Sequence, residues 1–96
     1  MRRKNDYKVD EAVMAFMEDA GIKDQYLMQS VMAAWSEVVG EAIANNTDEI
    51  WYENQVLHIK TKNATWRHEV MMQRTQIKNA IHQWLGQELL QKIRVT

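Results

Sequence analysis

With 96 residues, no cysteine and no proline, the chain has room for one hydrophobic core and excludes a second domain. The absence of cysteine removes a disulfide framework, a thiolate nucleophile and every Cys-based zinc or iron–sulfur site, which suits a reducing compartment and makes the cytoplasm the expected location. The net charge of −1 hides a division: residues 1–54 carry five Lys/Arg against eleven Asp/Glu, and residues 55–96 carry seven against two, so the halves stand at −6 and +5.

In chain order, Met1 to Lys8 reads as a basic flexible arm, followed by one domain over residues 9–96. No apolar run near the start is long enough for a signal peptide or a membrane span, so no membrane partner is expected. A first helix is predicted over about 10–20, capped by Asp10, stapled by Val9 against Met14, and ended by Gly21. Its apolar residues Val13, Phe16, Met17 and Ala20 recur at helical spacing. Asp24 opens a second helix over about 24–45, with Leu27, Val31, Trp35, Val38 and Ala42 on one face, and Gly40 inside it is expected to permit close packing.

The period then changes to two. Ile50-Trp51-Tyr52 and Val56 to Thr61 form a hairpin around Glu53-Asn54-Gln55, with Leu57 and Ile59 toward the core and Val56, His58, Lys60 and Lys62 facing away. Trp51 and Tyr52 are adjacent on a strand, so one of them must be exposed. A third helix over about 65–85 is capped by Asn63 or Thr65, carries Trp66, Val70, Ile77, Ile81 and Trp84 on its apolar stripe, and ends at Gly86. Leu89 to Val95 reads as a last strand. The order α-α-β-β-α-β is that of an α+β domain with a three-stranded mixed sheet, the last strand placed parallel to a neighbour by the helical crossover.

Catalysis needs ionisable groups converging in a cleft, and the candidates are few. Glu37 and Glu41, four residues apart, read as a solvated helix face. His58, His68 and His82 match no metal-ligand spacing and read as surface histidines, so no metal and no cofactor is expected. Ser30 and Ser36 lie in no nucleophile-elbow context, and glycines 21, 40 and 86 are too scattered to cradle a phosphate. Trp35, Trp66 and Trp84 lie on the apolar stripes and read as core. The informative surface is Arg67, Met71, Arg74, Lys78 and His82, spaced to share one face of the third helix. With Lys60 and Lys62 on the hairpin and Lys92 and Arg94 on the last strand, this ridge could follow a phosphate backbone. Periodicity alone fits a solvated face slightly better.

Trp35-x-x-Val38-Val39-Gly40-x-x-Ile43-Ala44, then Leu57-x-Ile59, Trp66-x-x-Glu69-Val70 and Ile93-x-Val95, resembles the bacterial DciA-like family over about Leu27 to Val95. The resemblance implies a KH-like fold, no enzymatic activity, and a role in DNA replication: binding the ring-shaped replicative helicase as a loader or assistant while touching DNA. The chain departs from nucleic-acid-binding KH domains in having no G-x-x-G loop, so any DNA contact is expected to be weak, sequence-independent and carried by the basic surface. The alternative reading is a protein-interaction adaptor whose acidic half meets a basic partner and whose ridge is merely solvated.

Overall fold

The computed structural model describes residues 10–96; the expected basic arm, and Val9 of the expected staple, lie outside them. Helix α1 (Glu11–Ala20) begins where the Asp10 carboxylate accepts a hydrogen bond from the Ala12 N–H at 2.9 Å, and stops at Gly21. Its apolar stripe stays largely outside the core. Only Met17 is buried, while Val13 and Phe16 are 47% and 66% exposed, because α1 packs mainly on the next helix and not on the sheet.

The long second helix expected over 24–45 is three: α2 (Lys23–Ala33), α3 (Trp35–Val39) and α4 (Glu41–Asn45). Asp24 is not its cap. It lies in the first turn, where a carboxylate favours the positive end of the helix dipole, and Ile22 occupies the cap position without a side-chain bond. The chain leaves helical geometry at Ala34 and again at Gly40, whose φ of 96° and ψ of 156° lie in a region essentially reserved for glycine. A Cβ at Gly40 would meet nothing within 4 Å. The expected close packing is therefore corrected: this glycine redirects the chain, and it places Glu37 and Glu41 on separate segments. The apolar residues still reach a common core, with Met28, Val31, Trp35 and Ile43 buried. The Trp35 indole N–H donates to Thr47 Oγ1 at 3.2 Å, and that hydroxyl donates to the Ile43 carbonyl at 2.8 Å, tying α3 and α4 to the first strand.

Strands β1 (Thr47–Glu53) and β2 (Val56–Thr61) pair antiparallel through a two-residue turn at Asn54 and Gln55. Both turn residues have positive φ, 53° and 65°, the geometry that matches the right-handed twist of a hairpin. Asn63 starts the third helical run by accepting from the Trp66 N–H at 3.0 Å. This run is also divided, into α5 (Ala64–Met72) and α6 (Arg74–Leu85), with Gln73 out of helical geometry between them. Strand β3 (Lys92–Val95) is shorter than expected because Leu89 and Leu90 turn into the core before it begins. It pairs parallel with β2, giving the sheet order β1-β2-β3. Its two ends are pinned: the Gln91 N–H donates to the Gln55 carbonyl at 2.8 Å, and the Thr61 hydroxyl donates to the Thr96 carbonyl at 2.8 Å.

The helices cover one face of the sheet. Tyr52, Leu57, Ile59 and Ile93 point into it and meet Val70, Ile77 and Ile81 of α5 and α6. Trp66 and Trp84 pack half-buried against this core and are not inside it as expected. The alternate strand residues, Trp51, His58, Lys60, Lys92 and Arg94, lie on the opposite face, which no described helix covers.

Candidate nucleic-acid interface

The two-part third helix changes the expected ridge. Arg67 belongs to α5, whereas Arg74, Lys78 and His82 belong to α6, so the five spaced residues do not share a single helix face. Arg67 is exposed and does not line the depression that Arg74, Lys78 and Lys92 share. Arg74 opens α6, is exposed, and its Nε–H donates to the Met71 carbonyl at 3.2 Å at the end of α5. Lys78 donates from Nζ to the Gln91 carbonyl at 3.1 Å. Arg74, Thr75, Lys78, Gln91, Lys92 and Ile93 line one shallow depression between α6 and β3. Tertiary structure thus brings Arg74, Lys78 and Lys92 together.

A second group forms on the sheet face that no described helix covers. Lys60 on β2 and Lys92 and Arg94 on β3 are all exposed there, and Lys92, on the edge strand, belongs to both groups. Lys62 lies just past β2 and is paired with Asp48 at 3.4 Å, an exposed bridge of small energetic weight. Among the described residues Lys60, Arg67, Lys92 and Arg94 form no ion pair.

His82 was expected as a surface histidine on the ridge, and the structure gives it a different role. The Leu90 N–H donates to its Nε2 at 3.1 Å, while its own carbonyl accepts from the Gly86 N–H at 2.8 Å. With Lys78 one turn earlier bonding Gln91, it clamps the loop that leads into β3. Burial pushes the His82 imidazole below its ordinary range; the Glu88 charge opposes this and Lys78 assists it. A lowered histidine means that the unfolded chain takes up a proton first as pH falls. Its contribution is therefore fully present above about pH 6.5, the unfolded value, and is lost as pH drops toward the folded one. The stability difference between the wild type and His82→Gln, measured by thermal unfolding, should narrow between pH 7.5 and pH 5.5. Nothing in the sequence spacing marks this residue, because its partner is a backbone N–H in a loop.

Acid–base chemistry finds little here. No group of three or more His, Cys, Asp or Glu among the described residues could hold a metal ion. Tyr52 is the other shifted group: burial raises its phenol above the ordinary range and the nearby Asp24 charge adds to this, so it stays protonated near neutrality.

The family model for "Dna[CI] antecedent, DciA" matches residues 8–95. The chain belongs to the DciA family. This is a family of replication-associated helicase loaders, accessory proteins by role, and the resemblance carried by the tryptophan, valine and glycine motifs is thereby shown. No curated protein and no solved structure matches the chain. No described helix of this DciA-family chain is long and apolar enough to cross a membrane.

Proposed function

We propose that this protein is a non-enzymatic accessory of bacterial DNA replication that binds the replicative helicase and contacts DNA, weakly and without regard to sequence, through its basic surface. The family match carries the helicase part of the reading. Support for DNA contact comes from the two cationic groups joined at Lys92: Arg74 and Lys78 on the helical side, Lys60 and Arg94 on the sheet side. These groups come from three separate elements and from none of the acidic first half.

Four cations, Lys60, Arg74, Lys92 and Arg94, have charge free for phosphates, which on a single strand corresponds to a log–log salt slope of about −2.8 at roughly −0.7 per contact. Lys78 is left out because its first duty is to Gln91. Replacing Arg74 and Lys92 together with alanine should flatten the slope by about 1.4 and leave the fold intact, as read by mobility shift at two salt concentrations with circular dichroism as control. Retention of the helicase on the immobilised protein tests the other half. Helicase capture with no DNA binding even at low salt would leave the adaptor reading in its place.

A further inference from the structure

The sheet face opposite the helices carries a feature that the salt-dependent reading does not use. In the strand register Trp51 of β1 lies beside His58 of β2, and His58 lies beside Arg94 of β3, so the three form one row across the sheet. The Trp51 and His58 rings stack with centroids 4.9 Å apart and planes 1° from parallel. Trp51 keeps 39% of its surface exposed. The neighbouring rows add Lys92 beside Val56 on one side, and Lys60 beside Glu49 on the other. Charge therefore changes across the sheet, from Glu49 and Glu53 on β1 to Lys92 and Arg94 on β3.

We propose that this face grips a single DNA strand, with an unpaired base stacking on the Trp51–His58 pair and the flanking phosphates meeting Lys60, Lys92 and Arg94. The proposal rests on the DNA-contact reading above and names its site. Two rings stacked face to face each cover one side of the other and leave the outer side open, and every base has a π face to lay on such an open ring face, which gives affinity without sequence readout. Lys92 and Arg94 lie on the β3 side of the rings, Lys60 lies on β2 itself beside Glu49, and the carboxylates lie on β1. A strand bound here runs its backbone along β3 and turns its bases toward β1, because the reverse placement would set phosphates against Glu49 and Glu53. A duplex keeps its base faces stacked internally and offers this platform only phosphates. The same ring pair would also stabilise the hairpin as an ordinary cross-strand contact, and the two roles separate on affinity.

The test is fluorescence anisotropy with labelled oligo(dT) of about 15 nucleotides, near the upper end of known single-strand site sizes, and with a duplex of equal length. Trp51→Ala should weaken oligo(dT) binding by roughly ten- to a hundredfold, leave its salt slope unchanged, and alter duplex binding by less than about twofold. Trp51→Phe, which keeps a ring, should retain most of the affinity. Arg94→Ala should instead flatten the slope by about 0.7. If Trp51→Ala does not fold, His58→Ala, which removes the central ring and leaves Trp51 in place, decides by the same criterion. Wild-type binding that survives loss of the ring pair overturns the platform and leaves DNA contact standing. Absence of any binding by the wild type at low salt overturns both.

Discussion

Leu57→Ala lowers the unfolding free energy by about 2–5 kcal/mol, the range for deleting a large aliphatic side chain from a packed core. Leu57 has no exposed surface and sits on β2, the middle strand, between Tyr52 of β1 and Ile93 of β3 in register. No neighbouring strand can close in to fill the space, since both are fixed by ladder bonds and β3 is also pinned at its two ends. For a domain of this size the whole stability is about 5–14 kcal/mol, so this one change removes a large share of it. Urea unfolding should show a midpoint lower by roughly 1–3 M with little change of slope. Phe16→Ala provides the contrast. On apolar size alone it should cost as much, but Phe16 is 66% exposed on α1, and the expected change is within about 0.5 kcal/mol. A large loss at Phe16 would mean that α1 is seated in the core after all.

Gly40→Ala lowers stability by about 1–3 kcal/mol through backbone strain alone. The geometry separates this cause from crowding, since an added Cβ has open space, whereas φ of 96° with ψ of 156° is closed to L-residues. Alanine there also favours joining α3 and α4 into one straight helix, which would pull Ile43 out of the alignment that brings it under Thr47. The expected fall in melting temperature is roughly 5–20 °C, from about 4–8 °C per kcal/mol in a domain of this length. An unchanged melting temperature would show that the turn at Gly40 is not needed for the fold.

Much of this fold could be read from local pattern. Asp10, Gly21, Asn63 and Gly86 punctuate helices because capping depends on a side chain or a positive φ within a few residues. Leu57 and Ile59 face inward because the strand period is two, and the same rule placed Tyr52 inside once Trp51 was outside. The α+β order and the parallel last strand followed from the alternation of periods and the length of the crossover.

The divided helices have one origin. The apolar spacing runs through Ala34, Gly40 and Gln73 almost undisturbed, so it reads as long helices. A bent chain and a straight one can present the same residues to a core, and only the packing chooses between them. The ridge expected on the third helix depended on that straightness and was divided with it. The cations met differently in space: Lys92 comes beside Arg74 because β3 returns along α6, and beside Arg94 and Lys60 because no described helix covers that face of the sheet.

The sequence by itself determined composition-level exclusions, the caps, the strand faces and, through its tryptophan, valine and glycine motifs, the family. Only the tertiary structure decided which cations share a surface, that His82 holds a loop, and that Trp51 and His58 lie ring against ring. Caps and periodicity are properties of neighbours along the chain, whereas a surface is set by strand register and helix direction, which depend on residues far apart in sequence.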